Sequence, residues 1–409
     1  MSSVKSNPIN LLNNKSGRGL IAFAFYFAEG APIGFIWWTM PTLLRQNGAG
    51  IDLVGTFTAI LILPWVFKFL WAPLVDVLRS PRFGFIKWIG VSQGLMCLTL
   101  IPLIFIPLSG NILCWCTFLF IHSLCAATQD VSVDAMIINS FSNQETGMLN
   151  GYMQAGMLLG RSIFGGGALI LISKFGIPLT VSLMVIAIFL TMILLLFIKE
   201  PAIVISNEKR LENFKKNLKK TLVAKKTWFT IAFALTAASA FEAAGAMSGP
   251  FLTDKKISSE TIGFFFGVPV AISMLIGGFI GGFLSDRMSR KTSVLLFLFG
   301  FVLTVSSISV IGFVYPSVSH FIWISLFVVM YFFTGMFTTA SYALFMDVSD
   351  PKLGATQFST FMAATNGCES WVVLTAGVLS ASHGYGIAFL VMCLVSVLSL
   401  FFLAKIKIK

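Results

Sequence analysis

Charge is what this chain has least of: only 11% of its 409 residues are Asp, Glu, Lys or Arg, while 57% are hydrophobic. Soluble proteins carry about a quarter charged residues, and a soluble fold of this composition would expose far more than the few hundred Å² of contiguous apolar surface that monomers tolerate. A soluble enzyme is excluded. Strict apolar/polar alternation is also missing, which excludes a transmembrane β-barrel. The six cysteines (Cys97, Cys114, Cys116, Cys125, Cys368, Cys393) lie inside apolar runs without a CxxC pair and read as packing residues. His122, His320 and His383 are scattered far from any metal-ligand spacing, so neither a metal nor another cofactor is expected. There is no phosphate-binding P-loop signature, so ATP does not drive the protein directly.

Long apolar runs fill the chain instead. A bilayer span needs about 20 apolar residues, or roughly 30 to 35 with its connection, so this length accommodates about twelve. Breakers and charges place spans at 18–44, 52–78, 84–107, 111–138, 147–174 and 176–198, then at 227–251, 259–284, 292–314, 319–346, 354–382 and 384–404. The first run, from Leu20, is too long for a signal-peptide core and is expected to stay as a helix. The long polar stretch at 199–226 reads as a cytoplasmic basic linker between an N-terminal six-helix bundle (1–198) and a C-terminal one (227–409). Within it, Leu211, Phe214, Leu218 and Leu222 recur at helical spacing among lysines, as in a helix lying on a membrane surface.

The net charge of +12 would suggest nucleic acid in a soluble protein, but here its distribution carries the meaning. Nine of the 28 Lys and Arg fall between Lys199 and Lys226, three precede Gly19 and three follow Ala404. The odd-to-even connections carry only Arg45, Lys174, Lys255 and Lys256. This positive-inside pattern puts both termini in the cytoplasm, and attraction to anionic headgroups accounts for the basic balance without nucleic acid. The halves also match in position. Asp286 follows Asp76 by 210 residues, Gly354 follows Gly147 by 207, and Glu242 follows Glu29 by 213. A duplicated six-helix unit, its copies related by an axis along the membrane normal, would enclose a central cavity.

GGFLSDRMSRK (281–291) joins the eighth and ninth spans. Its glycines allow close helix approach, and Asp286 could pair with Arg287 or Arg290 and cap a neighbouring helix, a charge clasp that breaks as the bundle rocks. This run resembles the loop signature of the major facilitator superfamily. The first-half counterpart, FKFLWAPLVD (67–76), lacks the glycine pair and the immediate Arg, leaving Arg79 and Arg82 to partner Asp76. Together with TQDVSVDAM (128–136), that departure resembles the branch of muropeptide permeases, acetyl-CoA transporters and inner-membrane siderophore permeases. PTLLRQNGA (41–49) and LPWVFKFLWAPLVD (63–76) lean toward the siderophore permeases. The resemblance implies an all-α polytopic protein of twelve transmembrane helices in two six-helix pseudo-repeats, the major facilitator fold.

Ionisable groups within spans mark function by default. Lys68 either pairs with Asp130 or Asp134 or snorkels to the headgroups. Asp130 and Asp134 stand at i and i+4 on one helix face, where two like charges in low dielectric do not both ionise cheaply. That suits a proton carrier, or a structural pair neutralised by Lys68 or Arg161. Glu29, beside Gly30 and Pro32, and Glu242 occupy similar depths in the first and seventh spans, whose counterparts line the cavity in the superfamily. These four carboxylates are the proton-coupling candidates. Arg161 keeps its proton and needs an anion: Asp130, Asp134, an acidic substrate group, or Glu369 in a salt bridge. Trp37, Lys68, Tyr152, Gln154, Arg161, Asn366, Glu369 and Trp371 are the candidates for contact with a bulky substrate.

The leading expectation is a proton-coupled secondary transporter, not an enzyme, moving a bulky polar metabolite across a bacterial inner membrane by alternating access, with siderophore uptake first and a muropeptide or acetyl-CoA second. A monomer, whose partners are substrate, protons and bilayer, is the expected state. A reading of another class, a Mg²⁺-dependent prenyl-type transferase, would use the Asp pairs 130/134 and 347/350 to bind diphosphate.

Overall fold

The structure, a computed structural model, describes residues 10–77, 83–140, 143–199, 225–315, 317–349 and 354–406, with Lys216 and Val223. Twelve long helices account for nearly all of them: α1 Lys15–Gln46, α2 Ile51–Val77, α3 Phe85–Phe105, α4 Ile112–Ser140, α5 143–175 and α6 177–197 in the first half. The second half holds α7 Lys225–Asp254, α8 Ser259–Arg287, α9 Arg290–Val314, α10 His320–Val348, α11 Gly354–His383 and α12 Tyr385–Lys405. Every expected span is present, with ends displaced by at most four residues. The 199–226 linker lies outside the described residues save for its ends, Lys216 and Val223.

Large apolar side chains such as Phe105, Leu113, Phe279 and Phe321 are more than two-thirds exposed, as lipid-facing residues are. α11 is the exception in composition. Its buried Gln357, Ser370 and Ser380 make it too polar for a lipid-facing helix, and it is packed against α2 instead.

The duplication is visible in the packing. In the first half α1 packs on α5, α4 on α2 and α3, and α3 on α6; in the second, α7 on α11, α10 on α8 and α9, and α9 on α12. Gly176 (φ 83°) separates α5 from α6, and Gly384 (φ 82°) separates α11 from α12, each in left-handed backbone that glycine adopts without penalty. The halves meet along two seams of the same construction. Gly55 of α2 lies against Gly377 of α11, and Gly166 of α5 against Gly263 and Gly267 of α8. Gly267 follows Gly55 by 212 positions and Gly377 follows Gly166 by 211, so one seam repeats the other.

Four helices depart from α geometry where they approach the centre. Pro41 has no N–H to offer, and α1 widens into a π turn at Phe35–Thr39, with the Met40 N–H donating to the Phe35 carbonyl. α8 has a π turn at Phe266–Val270 around Pro269, and α5 another at Ser162–Gly167. Thr39 donates its hydroxyl to the Gly165 carbonyl at 2.6 Å, docking the π turn of α1 on that of α5. α7 is unwound at 235–238 without Pro or Gly. The freed groups are satisfied from neighbours: Trp371 Nε1 donates to the Leu235 carbonyl (2.9 Å), and the Ala240 N–H donates to Ser396 Oγ (2.8 Å).

α1 and α5 approach so closely that a Cβ on Gly156 would overlap the Phe23 carbonyl, whereas one on Gly94 of α3 meets nothing within 4 Å. Gly156→Ala is expected to lower the melting temperature of the detergent-solubilised protein, at a cost of about 1–3 kcal/mol for overpacking. Gly94→Ala should leave it unchanged or raise it slightly. Equal melting temperatures for the two variants would contradict this packing.

Candidate functional site

Two clusters of ionisable side chains lie within the helical bundle. The first is contained in the N-terminal half. Lys68 of α2 forms an ion pair with Asp130 Oδ2 on α4. Tyr26 of α1 donates its hydroxyl to Asp134 Oδ1 and lies 3.4 Å from Asp130 Oδ1, so one phenol bridges the two carboxylates. One turn along α1, Glu29 is 2% exposed. Its Oε1 accepts from Trp65 Nε1 at 3.3 Å, and its Oε2 is buried without a partner. Gln129 fixes the face of α4 by donating to the Phe25 carbonyl at 2.9 Å.

The second cluster lies where the halves meet. Trp37 of α1 donates Nε1 to Glu369 Oε1 of α11. Arg161 of α5 is an electrostatic neighbour of both Glu369 and Glu242 of α7, yet among the described residues it has no ion-pair partner, and its Nε is buried without a hydrogen bond. The expected alternatives of Asp130, Asp134 and Glu369 as partners of Arg161 are not realised. The aspartates are held by Lys68 and Tyr26, and Glu369 receives the indole. Glu242 sits in the first turn of the second segment of α7, just past the unwound stretch, where the helix N-terminus favours negative charge. The clusters are linked by the Trp37 and Trp65 rings, in edge-to-face contact at 5.4 Å, and by Asn366 Nδ2 donating to the Trp65 carbonyl at 3.2 Å.

Above the second cluster, toward the end of the bundle away from the chain termini, the halves are closed on each other. Trp38 stacks on Phe266 of α8, and Thr42 abuts Gly249 of α7. At the tip, Arg45 grips Asp254 of α7 with two hydrogen bonds (2.7 and 2.9 Å), and the Tyr385 hydroxyl donates to the same carboxylate at 2.8 Å. Gln46 donates to Ser259 at 2.9 Å. At the opposite end, Arg290 keeps its contacts within the C-terminal half. Arg290 bonds both Asp286 and Asp347 of α10 at 2.9 Å and also the Ser285 carbonyl, tying α8, α9 and α10 together. Ser289, not Asp286, caps α9. Arg287 stacks over Phe283 instead of joining the clasp.

Other candidates are placed elsewhere. Trp371 serves the break in α7, because the carbonyl freed there needs a donor. Tyr152 and Gln154 are exposed on α5, the Tyr152 ring lying against Gly19. The Asp76 side chain, Arg79 and Arg82 lie outside the described residues. Sequence reasoning missed Tyr26, the place of Asp347 in the Arg290 clasp and the Arg45–Asp254–Tyr385 latch. Signals existed for two of them: Tyr26 precedes Glu29 by one turn on the same helix, and Arg45 is among the few cations on its side of the chain.

The family model described as Major Facilitator Superfamily matches residues 19–367 and again 232–407. AmpG 4 of Rickettsia conorii is 24% identical over 95% of this chain and 96% of its own length. The anhydromuropeptide permease of Escherichia coli K12 is 29% identical over 38% of this chain and 32% of its own. Among solved structures, a D-xylose-proton symporter superposes with a TM-score of 0.76 at 12% identity, covering 95% of this chain and 97% of that one. A bacterial homologue of the lysosomal transporter Spinster, in an inward-facing conformation, gives 0.72 at 14% identity over 96% of both chains. Helix order, seams and family match agree: the chain is a multi-pass membrane protein of the Major Facilitator Superfamily, a family of transporters.

Proposed function

We propose that this protein is a proton-coupled secondary transporter of anhydromuropeptide-class substrates in the bacterial inner membrane, working by alternating access with both termini in the cytoplasm. The observation that carries this reading is Arg161: a guanidinium at the junction of the halves, beside two carboxyl groups and without an ion pair among the described residues. A permanent cation at that depth calls for an anion, and muropeptides carry carboxylates. The names of the AmpG and anhydromuropeptide permease relatives move this substrate ahead of siderophores, which remain the competing substrate in the test. The halves 1–198 and 227–409 are the rocking units, joined by 199–226, and a monomer suffices for the cycle.

Charge bookkeeping supplies the coupling. Glu242, Glu369 and Arg161 are neutral together when one proton is held. A substrate carboxylate on Arg161 makes two protons the neutral state, so each bound carboxylate brings in one proton. In the first cluster Glu29, Asp130 and Asp134 share the single ammonium of Lys68, and two protons balance it. The partnerless Glu29 oxygen is a natural seat for one of them. With the latched end outside, the arrangement described here faces the cytoplasm. Against the transferase reading, Asp130, Asp134 and Asp347 are bonded to Lys68, Tyr26 and Arg290, while Asp350 lies outside the described residues.

Cells expressing the protein are expected to accumulate labelled anhydromuropeptide and not labelled ferric siderophore, with accumulation abolished by a protonophore. The reverse preference would move the substrate to the siderophore class. Arg161→Gln should raise the half-saturating concentration at least tenfold, about 1.4 kcal/mol; wild-type saturation would remove Arg161 from the substrate site. Glu29→Gln and Glu369→Gln should lose gradient-driven accumulation while retaining substrate exchange. Undiminished accumulation by both would remove them as proton carriers.

The latch gives a conformational test. With Cys114 and Cys116 replaced by Ser, Thr42→Cys should resist a membrane-impermeant maleimide added from outside. Adding Asp254→Asn should speed its labelling severalfold. Unchanged labelling would mean that the Arg45–Asp254 contact does not hold that end shut.

A further inference from the structure

On the outer surface of the bundle the α5/α8 seam forms a groove of about 390 Å³. Leu159 and Ile163 of α5 make one wall, Phe264 and Val268 of α8 the other, with Gly167 and Gly267 between them. All four wall residues are exposed, and in a membrane-spanning bundle their surroundings are hydrocarbon. From Leu159 to Leu171 the groove follows α5 for about 18 Å at 1.5 Å per residue. That is close to the roughly 15 Å hydrocarbon depth of one leaflet. Its length and its lining, apolar save for Ser162, match an acyl chain running along the bundle.

The mouth of the groove is charged. One turn beyond Leu171, Lys174 of α5 stands 3.9 Å from Glu260 in the first turn of α8, with side chains 54% and 58% exposed. A pair this loose and solvated contributes little by itself. Its two charges instead complement a headgroup that carries an anion and a cation side by side: a phosphate against Lys174 and a primary ammonium, with N–H groups to donate, against Glu260. A choline headgroup has no N–H for Glu260, and a glycerol headgroup has no cation.

We propose that the α5/α8 groove is a phospholipid site, selective for an ethanolamine headgroup, with one acyl chain in the groove and the headgroup clamped between Lys174 and Glu260. The site is made by both halves. Behind it Gly166 meets Gly263 and Gly267 across the seam, so separation of α5 from α8 dismantles it. A lipid seated there stabilises the arrangement closed at the Arg45–Asp254 end, whatever the transported substrate.

Native mass spectrometry of the purified protein, offered equal phosphatidylethanolamine, phosphatidylcholine and phosphatidylglycerol, tests this directly. Wild type should retain one ethanolamine lipid at least threefold more often than either competitor. Gly167→Leu should lose that lipid, because a Cβ at this position meets only the Ser162 carbonyl at 3.7 Å and the side chain grows into the groove. Glu260→Gln should still bind lipid but without preference for ethanolamine over choline. If Gly167→Leu fails to fold, the exposed substitutions Glu260→Gln and Lys174→Gln carry the test alone. Absence of headgroup preference in wild type, or the same preference in Glu260→Gln, overturns the proposal.

Discussion

A charge within the bilayer's hydrocarbon must be matched, neutralised or wetted, and the interior of this bundle is organised around that requirement. Lys68 is matched by Asp130, and Tyr26 spreads one hydroxyl over the neighbouring aspartates. Glu29 is only half satisfied, and among the described residues Arg161 forms no ion pair and its Nε no hydrogen bond. The unsatisfied groups lie within and beside the junction of the halves, linked by the Trp37 and Trp65 rings. A bundle selected for stability alone would have paired them. Leaving them open makes sense where protons and an anionic ligand complete the balance.

The backbone bends to the same end. The π turns of α1, α5 and α8 and the unwound stretch of α7 all occur near this junction, and each freed polar group named above is taken up by a neighbour. Irregular backbone of this kind is admissible at membrane depth only where protein or water covers it. The glycine seams then do two things at once. They let α2 meet α11 and α5 meet α8 at backbone contact, and they put bare backbone in place of side chains at the points of closest approach. Closure at one end falls to stronger, directional contacts: the bidentate Arg45–Asp254 pair and the aromatic stack of Trp38 on Phe266. At the other end Arg290 binds its own half into a rigid unit.

The number, order and ends of the helices were legible in the sequence because hydrocarbon thickness and the cost of an unpaired peptide group leave a long apolar stretch one structure to adopt. α11 was legible too despite its polarity, since breakers at both ends framed a stretch of the right length. The duplication was legible because symmetric halves keep glycines and carboxylates at a constant offset. The ionisable residues of the site were also legible, as charges conspicuous in apolar runs. Their partnerships were not. Lys68 had two aspartates within helical reach, and only the rotation of α2 against α4 selected Asp130. Glu369 was drawn from Arg161 to Trp37 by the crossing of α1 and α11, and Asp347 entered the clasp because the end of α10 reaches Arg290. Trp371, an apparent substrate contact, was claimed by a break in α7 that no Pro or Gly announced. Sequence determined which segments cross the membrane and which rare side chains they carry, since those follow from local composition against a solvent of fixed thickness. Tertiary structure alone decided who meets whom across helices, because an ion pair or an indole hydrogen bond depends on a few ångströms and a few degrees of helix rotation that no residue encodes by itself.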